Sequence, residues 1–434
     1  MIFWHKVLRS NPTGGQRVTE PGPLRLQSEA GRSLPAALIA LAVGSLLLTP
    51  FLSFVSSRSL SIRAVDETLR SQYAADAGVE FGIWTVLNSS TARSQADANP
   101  GTGFPVPFPE AVNGLTPTVT ISAVPIGEWF SRQNAPTAVQ QGGALEYTGG
   151  SSVYALAGDL SGSFGRYNTA GDTWINRQST PIFWAFDGSD LVYTGGNRLY
   201  ALTPAFFPWG SLGRQFSRYS IAGNSWTRME AAPDSIGSGG CLVYTGGNHI
   251  YALRGSGSDF WRYSIPGDSW SSRANAPGGV GSGAALVYTG GNFIYAFRGG
   301  YSNNFWRYNI SSNSWTTLSS APGGVGPGGS LAYNGGDYIY ALQGGTSAFW
   351  RYTISLNSWG VLADSLNPVS SGGDLVFVDA DSGYTLRGGG TSDYWEFLIT
   401  PPRYDVNSQT GKVDISARME IDGASRSILF WDID

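Results

Sequence analysis

The sequence predicts a mainly β chain: a closed ring of six four-stranded blades, a β-propeller, inserted into a smaller α+β module carried on a long amino-terminal transmembrane helix. Three observations carry this. Between residues 129 and 397 one aromatic-rich unit is repeated six times, with a period of about 45 residues and only short alternating runs inside it, the pattern of blades rather than of a helical solenoid. Ahead of the repeats, residues 34–55 form an apolar stretch without a charge, long enough to cross a bilayer. Flanking the repeats stand four further alternating runs that fit none of the units.

Taken in order, residues 1–31 hold Lys6, Arg9, Arg17 and Arg25 among Pro and Gly and read as a basic cytoplasmic leader. Its charge ahead of the apolar stretch predicts a single-pass topology, with the amino terminus inside and the remainder exported. Residues 32–98 read as one helix, transmembrane and then amphipathic: Ile62, Val65, Leu69, Tyr73, Ala77, Phe81, Trp84 and Leu87 step by three and four, an apolar stripe expected to pack on a soluble partner. Pro50 is expected to kink this helix, and Asn99-Pro100-Gly101 to end it. A loop and one strand, TPTVTISAV, occupy 99–124. The ring takes 125–400, and the strands RYDVNS, KVDISARMEI and SRSILFWDI fill 401–434.

Within the ring, the copies GSGAALVYTGGNFIYAFRGGYSNNFWRYNISSNSW from Gly281 and GPGGSLAYNGGDYIYALQGGTSAFWRYTISLNSW from Gly326 are the clearest. Each supplies a first strand ending in Tyr, a Gly-Gly turn that needs positive φ, a second strand around Tyr295 or Tyr340, a third strand FWRY, and an outer strand at Trp315 or Trp359. The sixth copy ends without an outer tryptophan, whereas an orphan outer strand around Trp129 precedes the first. Pairing the two closes the ring and leaves no open edge.

The double glycine, the tyrosine and the spaced tryptophan resemble the kelch repeat, in a divergent form with Ser or Thr where kelch carries an acidic residue after the third-strand tyrosine. The amino-terminal region resembles type IV pilin-like proteins through its basic leader ending in Gly31, the apolar segment after it, Pro50 and the long helix. That resemblance implies cleavage by a prepilin peptidase between Gly31 and Arg32, a small sheet packed on the helix, and pilus or secretion-system subunits as partners. Ala36 stands where the family carries Glu, which suggests a minor or tip-like subunit, or a pseudopilin that does not polymerise.

Composition narrows the function. With 27 basic and 31 acidic residues and no basic stripe, nucleic acid is excluded as a partner. The single cysteine, Cys241, reads as a buried structural thiol. Only two histidines occur, His5 in the leader and His249 in a blade turn, which removes His-based triads and His-rich zinc sites from the exported part. Acidic residues are sparse, no pair recurs at blade ends as a glycosidase dyad requires, and Asp259 and Asp393 read as turn caps. No cofactor or metal is expected.

Two features point to binding. The position closing the second strand varies as Ala157, Thr203, Arg254, Arg298, Gln343 and Arg387, and alternation aims it at one mouth of the ring. Arg254, Arg298 and Arg387 are candidates for a carboxylate or acidic sugar, the alternative being pairing with nearby Asp or solvent. The second copy carries an insertion with Phe206, Phe207 and Trp209, a candidate contact loop on the same face, the alternative being packing across the ring's mouth. The third-strand arginines Arg166, Arg218, Arg262, Arg307 and Arg351 recur too regularly for one site and read as structural, stacked on Trp or Tyr. The expectation is a cell-surface, membrane-anchored adhesion or recognition protein whose propeller binds an extracellular protein or glycan. A tethered carbohydrate-active propeller enzyme and a purely structural pilus or secretion-machine component are the alternatives.

Overall fold

The computed structural model describes residues 33–98, 100–158, 162–181, 187–204, 213–422 and 425–433. The leader with Gly31 and Arg32, and the insertion residues Phe206, Phe207 and Trp209, lie outside the described residues. Helix Ser33–Asn88 runs through Pro50, and its stretch from Leu41 is long and apolar enough to cross a membrane. Along that stretch Ser45, Thr49, Ser53, Ser57 and Ser61 each return their hydroxyl to a carbonyl three or four residues back, so these polar groups are satisfied within the helix. The helix stops short of Asn99. Ser89 interrupts it, accepting the Ala92 amide on its Oγ at 3.1 Å as the N-cap of a second helix, Ser90–Ala98.

The other regular elements among the described residues are strands of antiparallel sheets. A five-stranded sheet has the spatial order Phe104–Val106, Thr118–Val124, Arg403–Gln409, Asp414–Asp422, Ser425–Ile433. The sequence reading anticipates four of these strands and misses Phe104–Val106, whose Pro105 argues against a strand; at the sheet edge the missing N–H costs no ladder bond. The sequence also mistakes the face of the helix that packs on this sheet. Tyr73 and Trp84 of the expected stripe are 60% and 59% exposed, while Ala74, Ala75, Val79 and Val86 are buried, although Leu87 does pack against the core. Closeness of approach explains the choice: a Cβ on Gly78 would stand 2.0 Å from Ser408 Oγ, and one on Gly82 2.3 Å from Val406 Cγ1. Only a face of small residues lets the helix lie that near the sheet, so large apolar residues were the wrong guide.

The remaining strands form six four-stranded sheets in a propeller-like set. Their first strands are Ala144–Tyr147, Asp190–Tyr193, Cys241–Tyr244, Ala285–Tyr288, Ser330–Tyr333 and Asp374–Phe377. Each lies beside the first strand of the next sheet, and the last returns to the first. Sheets one to five take four consecutive strands each. The sixth takes three and borrows Glu128–Ser131, which pairs with Tyr394–Leu398 so that Trp129 faces Phe397.

Adjacent sheets are joined by a repeated clamp. In the fourth sheet Tyr308 Oη donates to Asn313 Oδ1 at 2.6 Å, and the same oxygen accepts the Ala274 amide at 2.9 Å. Trp315 Nε1 donates to the Ala274 carbonyl at 2.8 Å, tying the sheet to the end of the one before it. Asn313 holds this geometry with φ +51°, a conformation Asn tolerates better than other side chains. Asp172, Asn224, Asp268 and Asn357 play the same part with Tyr167, Tyr219, Tyr263 and Tyr352. In the closing sheet the clamp changes at both ends together: Phe397 replaces the tyrosine, Gly127 with φ +97° replaces the Asx residue, and Trp129 Nε1 still reaches the Ala363 carbonyl at 2.9 Å.

Candidate functional site

Two places in the ring carry polar chemistry: the mouth where the second strands end, and the central channel. At the mouth each long side chain spans two segments of its own sheet. Arg254 Nε donates to the Ser235 carbonyl at 2.9 Å, and its other nitrogens pair with Asp259 at 3.1 Å and Asp234 at 3.0 Å. Arg387 donates to the Pro368 carbonyl at 3.2 Å and pairs with Asp393 at 2.8 Å. Gln343 repeats the pattern without charge, from the Gly324 carbonyl at 2.9 Å to Thr346 Oγ1 at 2.7 Å. Asp259 and Asp393 are thus ion-pair partners rather than free turn caps. Arg298 differs. It donates to the Gly279 carbonyl at 3.0 Å and to Asn304 Oδ1 at 3.2 Å, both neutral, so among the described residues its charge has no acidic partner.

Three residues after Arg298 in the chain stands a residue that the sequence pattern did not single out. Tyr301 is 74% exposed and has φ +60°, a left-handed conformation uncommon for a bulky side chain. Its amide donates to the Val325 carbonyl at 2.8 Å, as those of Gly345 and Gly390 do to Val369 at 2.7 Å and Val139 at 2.8 Å in the next two sheets. Tyrosine thus occupies a position that the next two sheets fill with glycine, while the sheet before it has the left-handed Ser256 in this loop. The ring lies against the backbone of the fifth sheet's lead-in segment, since a Cβ on Gly326 would be 2.9 Å from Tyr301 Cε1. The signal was present in the sequence, where GGY in one copy aligns with GGG in another.

The channel, of about 320 Å³, is lined by the first strands of all six sheets. Three first-strand carboxylates face it from consecutive sheets, Asp374 from the sixth, Glu146 from the first and Asp190 from the second, and Asp187, just ahead of the second sheet's first strand, also lines it. Each of the three takes an amide from the next sheet: Leu145 N to Asp374 Oδ2 at 2.7 Å, Tyr193 N to Glu146 Oε1 at 2.7 Å, and Leu242 N to Asp190 Oδ2 at 2.6 Å. First-strand N–H groups that face the axis have no strand partner there, and the carboxylates satisfy them. Ser330 Oγ adds a bond to Asp374 Oδ1 at 2.6 Å.

Burial raises the pKa of Asp374, Glu146 and Asp190, and among the described residues no Lys, Arg or His lines the channel to offset it. Asp190 is pushed up to about 8 by burial and by the charge of Asp374, against the pull of its two amide donors. Asp374 moves up mainly through burial, and Glu146 well up through burial and the two aspartates. Cys241, beside Asp190 in the ring of first-strand residues, is buried, and its thiol is held well above its ordinary value by burial and the nearby aspartates. This trio escapes a search for paired acids at blade ends because its members sit inside first strands of different repeats. Among the described residues no group of three His, Cys, Asp or Glu side chains is placed to hold a metal ion.

Two of the third-strand arginines stack on rings of the neighbouring second strand: Arg307 lies 4.4 Å over the Phe293 ring and Arg351 4.2 Å over Tyr338. In the sixth sheet Glu396 takes their place. It is buried, pairs with Arg132 next to the closing strand, and accepts from Tyr384 Oη at 2.7 Å and Ser382 Oγ at 2.9 Å.

No protein-family model and no curated protein matches the sequence. Solved structures match by fold; one titled "Structure of YjhT" has a TM-score of 0.49 at 12% sequence identity, covering 69% of this chain and 99% of that chain.

Proposed function

We propose that this chain is a membrane-anchored, surface-displayed pilin-like protein whose six-bladed, kelch-like propeller binds an extracellular partner protein or glycan at the mouth carrying Arg298 and Tyr301. The observation that carries this reading is Tyr301: a large, exposed aromatic ring kept in a backbone conformation that the next two sheets meet with Gly345 and Gly390. Left-handed backbone costs a bulky residue roughly 1 kcal/mol. Arg298, whose described partners are neutral, adds a donor fork suited to a carboxylate. Arg254 and Arg387 are occupied by their own aspartates and have a lesser part. The leader is cut between Gly31 and Arg32, and pilus or secretion-system subunits are its partners at the membrane; amino-terminal sequencing of the mature protein tests that.

The binding test uses the full chain in nanodiscs on glycan and surface-protein arrays. Tyr301→Ala and Arg298→Ala are each expected to weaken a hit at least tenfold, about 1.4 kcal/mol. Binding that survives both substitutions, or the absence of any hit, counts against this mouth. A second reading, a surface-tethered carbohydrate-active enzyme, is favoured by one observation, the channel trio of Asp190, Glu146 and Asp374 with raised pKa values, since perturbed carboxylates gather at catalytic sites. Glycoside turnover lost on Asp190→Asn would support it.

A further inference from the structure

The two edges of the five-stranded sheet are built differently. One edge is Phe104–Val106, short and interrupted by Pro105, two of the usual ways in which an edge is kept from pairing. The other is Ser425–Ile433, a long strand with neither Lys nor Pro, exposed along its whole length. On it Ile428, Trp431 and Ile433 pair with Met419, Ala417 and Ile415, which are buried in the sheet's core. The apolar layer therefore continues onto the edge strand, where Ile428, Trp431 and Ile433 remain exposed.

We infer that this strand pairs antiparallel with the same strand of a second copy about a two-fold axis between Leu429 and Phe430. The register follows from an irregularity. Leu429 has no partner on the neighbouring strand, because the ladder shifts between Arg418 and Met419, so the alternation of faces slips by one residue there. Arg426, Ile428, Trp431 and Ile433 fall on the core face, and Ser427, Phe430 and Asp432 on the other. A symmetric pairing matches like faces only when its axis falls between residues. An axis on Leu429 itself would set Ile428 against Phe430 of the opposite face. With the axis after Leu429, Ile428 meets Trp431 of the second copy and Leu429 meets Phe430, each contact occurring twice, as an isologous interface requires. The strand's charges, Arg426 and Asp432, are opposite in sign and do not repel a copy of themselves.

The test uses the full chain in detergent, with mass followed by light scattering and sedimentation across the micromolar range. Wild type is expected to dimerise, and Ile428→Glu or Trp431→Lys alone to weaken the dimer at least tenfold by placing a charge twice in an apolar contact. The double variant sets Glu against Lys at both places and is expected to recover the dimer. A monomeric wild type, single variants that still dimerise, or a folded double variant that does not recover overturns the inference. Amide exchange on the wild type is a check independent of substitution: the 425–433 amides slow on concentration if the strand is the interface, and exchange unchanged across a monomer–dimer transition overturns it.

Discussion

Glu396 shows how one residue substitutes for a repeat's rule. Where five sheets carry arginine, it accepts from Arg132, Tyr384 and Ser382 and so fastens the borrowed strand to the sixth sheet. Arg132→Ala leaves this buried carboxylate without its cation and is expected to cost about 2 kcal/mol, read as a lower denaturant midpoint with unchanged slope. The channel acids make a second residue-scale prediction. Asp190 is held near 8 in the folded chain and titrates near its ordinary 3.8 when unfolded. Between those values the folded state binds the extra proton, so stability is greatest at the acid end and falls as pH rises toward 8, by up to about 1.4 kcal/mol per pH unit for one proton. Melting temperatures followed from pH 5 to 8 should decline, and less steeply for Asp190→Asn; a flat wild-type profile would contradict the assignment. At this scale the sequence was least legible. Tyr301 and the three channel acids are ordinary residues whose meaning lies in which strand of which repeat they occupy.

Among the elements, the Tyr, Asx and Trp clamp explains why the repeat keeps those residues. The closing sheet offers a natural control, with Phe397 and Gly127 changed together, and a Cβ on Gly127 would fall 2.0 Å from the Phe397 ring. In the fourth sheet Tyr308→Phe and Asn313→Gly are each expected to destabilise by about 1 kcal/mol, and the pair by less than the sum, since both remove the same bond. A double-mutant cycle in urea measures this. The strands were legible because tyrosine, double glycine and tryptophan recur at fixed spacing. The helix face was not. A hydrophobic stripe is the usual guide to a buried face, and here Gly78 and Gly82 set the contact while Tyr73 and Trp84 face outward.

For the whole molecule, the displaced strand around Trp129 was the most informative sequence feature, because a missing piece at one end of a repeat array and a spare at the other allow few arrangements. The ring departs from and returns to paired neighbours: Val124 faces Arg403 in the five-stranded sheet, and Glu128 faces Leu398 in the sixth. Arg403 joins the two regions, pairing with Glu420 at 2.8 Å and Glu128 at 2.5 Å. Replacing residues 125–402 with a two-residue Asn-Gly turn is therefore expected to leave the five-stranded sheet folded, because Val124 and Arg403 already stand opposite each other. Protection of Val406 and Ile415 amides from exchange would show it, and their loss would mean the sheet depends on the ring.

The same pairing governs how the molecule bears tension. A pull on the ring, directed away from the five-stranded sheet, reaches Glu128 and Leu398 from the same end and in the same direction. The two crossings share the load side by side, and neither strand is peeled from the other. The load therefore enters at the end pair of the seam that closes the ring and is divided there between its two strands.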